Sequence, residues 1–392
     1  MKAMEDLYPH FSEEEFGRRW AAVRAIMGET DVAALLAYGN KGSCNEVQFL
    51  SNFSVSWEAI LVFPAEGEPT LLVQFFNHLP LARKMSCVGD VRWLGMDYGS
   101  TVAYNLRERG LTDRRIGLIG PLPFQRYESL KRMIPYATII DLSQQFLELR
   151  AIKSQEEISF LRRGAEFSDL AIQALEREVR PGITEYQLAA IAEGAYLGLG
   201  GKNTIHFMGV TPMKNPSLCV PAQHHSKRII QKGDVLITEI SAQYHGYCGQ
   251  ILRPFAIGEL PTPQYQRLYD VAAETFKRVA AVIKPGATSE DVLDAAEYIH
   301  KCGFTVCDDL IHGSGGGYWA PILRTRRTMA KAPVFTFKEN MIVVVQPNVI
   351  TEDERMGVQV GEMMCVTAAG VESLHRYPLC FIQCGACGGY GK

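Results

Sequence analysis

Long hydrophobic runs are missing from this chain of 392 residues: stretches such as Ile342 to Val345 fall far short of the length that crosses a bilayer, so no membrane partner is expected. The opening segment, MKAMEDLYPHF, has neither the basic cap nor the apolar core of a secretory leader, and the expected location is the cytoplasm. Basic clusters are scarce too. The densest, Arg324, Arg326 and Arg327, is too short to mark a nucleic-acid surface, so no such partner is implied. The glycine-rich stretch IHGSGGGYWAP is not followed by Lys-Ser or Lys-Thr, which argues against a nucleotide phosphate loop. Ten cysteines spread along the chain suit a reducing compartment. Three of them, Cys380, Cys384 and Cys387 in CFIQCGAC, are expected to be free thiols beyond the folded part, not cluster ligands. What is present is a globular composition, 47% hydrophobic and 21% charged with a net charge of −3, over a length that one core seldom fills.

Two domains follow, 1–150 and 151–392. In the first, Glu13 to Met27 has helical periodicity, and apolar strands are expected at Val32 to Leu36, Ala59 to Val62, Thr70 to Val73, Arg114 to Ile119 and Ala137 to Leu142, the pattern of a small α/β domain. Ser154 with Glu157 three residues on is a capping box that opens the second domain. There the pattern VRPGITEYQ at 179–187 returns as IKPGATSED at 283–291. Each copy follows a helix and offers a threonine N-cap after Pro-Gly. Each is followed by a helix and then a strand hairpin, led by KGDVLITE in one half and KENMIVVVQ in the other. Two similar halves about a pseudo-twofold would put Glu239 and Gln346 on facing strands around a cavity.

Residues 231–255, QKGDVLITEISAQYHGYCGQILRPF, have the outline of a metal-binding strand pair. The stretch resembles the creatinase and prolidase superfamily, in which a lysine-glycine-aspartate turn leads to one aspartate and a second follows eleven residues later. The resemblance covers most of residues 154–370 and implies an N-terminal creatinase-like α/β domain followed by a C-terminal pita-bread domain of α+β type. It also implies five ligand positions, occupied here by Glu239, Gln250, His312, Gln346 and Gly361. Positions 239, 250, 346 and 361 supply one carboxylate, too little charge to offset two divalent cations, so no metal and no cofactor are expected. Glu362 is expected to point away from the side that Gly361 faces. The second histidine and glutamate of the family's peptidases correspond to Trp319 and Ala320, and the histidine on which creatinase relies corresponds to Ala222.

Glu239, His312 and, by a shift of the loop, His224 (or its neighbour His225) are therefore the expected catalytic residues, with Glu239 held charged as base or nucleophile. Gln250 and Gln346 are expected to contact substrate. Arg324 and Arg326 are candidates to grip a carboxylate, Trp319 (with Tyr318) to form an aromatic wall. Phe53 and Trp57, in FLSNFSVSWEAILVF, match a family segment that reaches the partner subunit, which suggests a homodimer. The leading expectation is a metal-independent hydrolase or lyase that breaks a carbon–nitrogen bond in a small polar molecule. A pita-bread protein that only binds its ligand, and a mononuclear metallohydrolase using Glu239, His312 and a shifted histidine, are the alternatives.

Overall fold

The computed structural model describes residues 7–41, 46–315 and 317–385, and the chain divides into two compact units, 1–150 and 151–392. No helix among the described residues is long and apolar enough to cross a membrane.

The first unit runs α1 (Glu13–Glu29), β1 (Ala34–Asn40), α2 (Glu46–Ser51), β2 (Glu58–Pro64), β3 (Thr70–Val73), α3 (Leu79–Met85), β4 (Asp90–Trp93), α4 (Tyr98–Arg107), β5 (Arg115–Ile119), α5 (Phe124–Met133), β6 (Thr138–Asp141) and α6 (Ser143–Ala151). Its strands form one mixed sheet in the order β4-β3-β2-β1-β5-β6. Alternation sends Leu35, Ala37, Leu61 and Phe63 into one apolar cluster and Ala34, Leu36, Ile60 and Val62 into another. Both faces are covered, which is why these strands read as continuous apolar runs. Phe53 is a core residue of this unit, 1% exposed, packed with Val47, Phe49 and Leu50. The expectation that it reaches outward is therefore corrected. Asn52, at φ 63°, turns the chain at the end of α2 and drives the next side chain inward. Trp57 is the exposed aromatic of the segment, lying 6.0 Å from the Phe75 ring.

The second unit opens with α7 (Gln155–Glu178), where Ser154 and Glu157 form the expected reciprocal cap. It continues through α8 (Glu185–Gly194), β7 (Lys202–Pro212), β8 (Asp234–Tyr244), β9 (Tyr247–Leu252), β10 (Phe255–Ile257), α9 (Pro263–Val282), α10 (Ser289–Lys301), β11 (Ile311–Ser314), β12 (Tyr318–Leu323), β13 (Ile342–Val345), β14 (Asn348–Ile350), β15 (Gly357–Gln359), β16 (Gly361–Thr367), β17 (Gly370–Ser373) and β18 (Ile382–Cys384). Thr184 and Thr288 both complete capping boxes, with Gln187 and Asp291. The repeat is visible in the sheet: β7-β8-β9 and β11-β13-β16 are joined where β9 meets β16, with Leu252 opposite Gly361 and Ile251 opposite Glu362. The path reads the same from either end, so β8 in one half corresponds to β13 in the other.

One expectation fails near the C-terminus. Residues 382–384 pair in parallel with Phe255–Ile257, and Cys384 is buried with its thiol directed to the Ala256 carbonyl. The chain is still inside the fold there because the edge of β10 needs a partner for its backbone groups. Cys387 lies outside the described residues.

Candidate active site

The repeat brings Glu239 of β8, Gln250 of β9 and Gln346, just past β13, to one place. Gln346 donates through Nε2 to the backbone carbonyl of Asp309 at 3.3 Å. A carbonyl only accepts, so the amide is fixed with Oε1 turned toward Gln250. Gln250 must then present its NH₂ group, and Nε2 donates to Gln346 Oε1 at 2.8 Å and to Glu239 Oε1 at 3.0 Å. The side chain at the second family ligand position is thus a hydrogen-bond donor aimed into the centre.

Burial pushes the Glu239 carboxyl up to about 8, and the Asp308 carboxylate adds to the effect. The group is mostly protonated at neutral pH, with Oε1 accepting from Gln250 and Oε2 free to carry the proton. The expectation of a charged Glu239 is corrected for that reason: its hydrogen-bond partner is a neutral amide, which does not offset loss of hydration. His312, on β11, is 2% exposed. Its Nδ1–H donates to the Gly313 carbonyl at 2.9 Å, which leaves Nε2 as a lone-pair acceptor. Burial pulls its imidazole below the usual histidine range against the pull of Asp309 and Asp308. A protonated carboxyl and a neutral imidazole give an acid and a base in the same site.

Two acidic residues complete the surroundings. Asp309 accepts from Arg324 Nε at 2.8 Å and from the Tyr318 hydroxyl, and the Tyr318 ring lies 4.6 Å from the imidazole of His312. Asp308 accepts from Gln359 Nε2 at 2.8 Å and, among the described residues, makes no ion pair. Neither acid figured in the sequence reading. The available signal was their place in CDDLIHG, directly upstream of the histidine.

Several expected residues stand elsewhere. His224 is exposed, because Glu185 pins the loop by accepting from Ser226 N at 3.0 Å and Ser226 Oγ at 2.5 Å. His225 is half-buried and pulled below the usual histidine range by burial, and it interacts with His206, whose strand partner is Ile240, on the opposite face of β8 from Glu239. Arg326 is bound to Glu290 and Asp294 of α10, at 2.5 and 2.6 Å, on the surface. Trp319 packs with Lys153, whose Nζ lies 5.2 Å from the ring. Consecutive strand residues face opposite ways, so Tyr318 takes the place beside His312 that was expected of Trp319.

At the fifth family position a side chain has no room: a Cβ on Gly361 would stand 2.2 Å from the Val345 carbonyl oxygen and 2.6 Å from the Gln346 Cα. Glu362 is turned aside to the buried Arg253, whose Nη2 donates to it at 2.5 Å. Among the described residues, no group of three or more His, Cys, Asp and Glu is arranged to hold a metal ion.

A two-domain chain with a mixed α/β domain ahead of a pseudo-symmetric sheet, and a site at the meeting of its halves, defines a creatinase- or prolidase-like protein. Residues 159–368 match the metallopeptidase family M24 and residues 19–152 the creatinase/prolidase N-terminal domain. The chain belongs to metallopeptidase family M24. It is 26% identical to an uncharacterized hydrolase/peptidase from Sinorhizobium fredii, over 95% of this chain and 98% of that one. It is 20% identical to a creatinase from a Bacillus species, over 95% and 93%. Its fold matches a prolidase from Thermococcus sibiricus with a TM-score of 0.80 at 19% identity, over 96% and 100% of the two chains.

Proposed function

We propose that the protein is a metal-independent hydrolase that breaks a carbon–nitrogen bond in a small molecule bearing a positively charged nitrogen group. The observation that carries this reading is the orientation of Gln250, which donates to both Glu239 and Gln346. A metal ligand offers a lone pair, and an N–H group pointed at the centre opposes a cation there. The donor set does not fit a metal pair: one carboxyl that burial keeps protonated, one imidazole, two amides and a glycine with no space for a side chain.

Without a metal, the chemistry falls to acid–base catalysis. His312 Nε2 takes a proton from water as it attacks the carbon, and Glu239 Oε2–H gives its proton to the departing nitrogen. Asp308 supplies the charge argument for the substrate. With Glu239 neutral and Asp309 engaged by Arg324 and Tyr318, it leaves one negative charge beside the site, and a monocation balances it.

The test is release of ammonia or amine by chelator-treated protein from a panel of small cationic amides, amidines and guanidines, with Glu239→Gln as the control. Turnover by the native protein alone supports the reading. Affinity without turnover across the panel, or turnover that requires added metal, rejects it.

A further inference from the structure

Beside the site, and apart from its acid–base groups, two thiols from different halves of the repeat touch. Cys219 follows β7 and Cys307 follows α10, and their sulfurs are 4.0 Å apart, the one such contact among the described cysteines. Their backbones are held together by one buried side chain. Asn348 donates through Nδ2 to the Cys219 carbonyl at 3.2 Å, and its Oδ1 accepts from Cys307 N at 3.3 Å and lies 3.4 Å from the Cys307 sulfur. A second restraint presses on Cys219: the chain at Gly357 runs so close that a Cβ there would stand 2.0 Å from the Cys219 carbonyl oxygen. Cys307 is exposed to solvent, whereas Cys219 is buried. A disulfide needs its sulfurs about 2.0 Å apart, so the two must close by about 2 Å to form one.

We propose that Cys219 and Cys307 are a redox pair that a peroxide converts to a reversible disulfide, latching the two halves of the second unit at the residue next to Asp308. The hydrogen bond from the Cys307 thiol holds Cys219 below the usual thiol range and, by the same contact, holds the proton on Cys307. The pair thus loses one proton readily and the second with difficulty, which supplies a thiolate with a neighbouring thiol to resolve it. One sulfur, as thiolate, attacks an oxygen of hydrogen peroxide. The O–O bond breaks, one water leaves after taking a proton, and a sulfenic acid remains. The neighbouring sulfur then attacks, the S–S bond forms, the S–O bond breaks and hydroxide departs as a second water. Two thiols lose two electrons and two protons, and the peroxide accepts both electrons.

The full-length protein is reduced, exposed to modest hydrogen peroxide, alkylated, digested without reductant and mapped by mass spectrometry. The expected result is a crosslinked peptide joining residues 219 and 307 that dithiothreitol removes and that Cys219→Ser and Cys307→Ser both abolish. In Cys307→Ser, Cys219 should progress to sulfinic acid, having lost its resolving thiol. Sulfinic acid at Cys219 in the native protein with no crosslink, or crosslinks that join either sulfur to another cysteine, overturns the proposal. The native map decides the matter even if a serine variant fails to fold.

Discussion

Glu239 is where sequence and physics meet most sharply, since its neighbours are amides and acids instead of cations. Replacing it with glutamine keeps shape and removes the proton, so turnover should fall by about 10²-fold or more while the fold survives, as checked by kinetics and circular dichroism. The folded carboxyl titrates near 8 and the unfolded one near the ordinary carboxylate value. Between those values the folded chain holds the extra proton, so the stability due to this group is present at low pH and is lost as pH rises toward 8. Urea midpoints of the native protein should therefore fall relative to Glu239→Gln across that window; parallel curves would show that the carboxyl is not perturbed. Activity should decline as pH passes about 8, when Glu239 loses its proton, and decline again below the usual histidine range, when His312 gains one. A rate that rises through pH 8 would assign Glu239 the opposite role. Arg326 offers a contrast: its exposed ion pairs with Glu290 and Asp294 predict that Arg326→Ala leaves turnover unchanged and stability within about 0.5 kcal/mol.

Elements explain which residues the sequence made legible. Glu239 and Gln250 lie on a hairpin whose two strands have fixed spacing, and the Pro-Gly-x-Thr caps at 181–184 and 285–288 mark the start of the same helix in each half, so alternation and repeat together fix the neighbourhood. Residues on loops or at surface elements escaped that logic. Asp308 and Asp309 precede β11 in a loop with no period to read. Arg326 looked available until α10 presented acids four apart on one helical face, and that relation joins segments more than thirty residues apart. His224 was misplaced because the anchor that sets its loop, Glu185, belongs to a different element. Phe53 was misplaced because a turn at positive φ reverses the sense of the chain. A prediction belongs to the join of β13 and β16: Gly361→Ala should destabilise the chain by about 3 kcal/mol through collision with the Val345 carbonyl, measured by chemical unfolding. A stable Gly361→Glu chain that gains metal affinity would mean that the strands part more easily than their packing implies.

For the whole molecule, the pseudo-twofold frame and the neutral polar centre are separable. The frame depends on caps, strand pairing and apolar clusters, to which positions 239, 250 and 361 contribute through backbone pairing, not through a charged side chain. The fold therefore tolerates exchange of ligating carboxylates for amides and glycine, and what changes is the chemistry the centre supports. The most direct measurement is metal content by inductively coupled plasma mass spectrometry after incubation with zinc, manganese and cobalt and removal of free ions, read beside turnover with and without chelator. The account predicts well under one ion per chain and a rate indifferent to chelation. Two retained ions per chain, with activity lost on their removal, would contradict it.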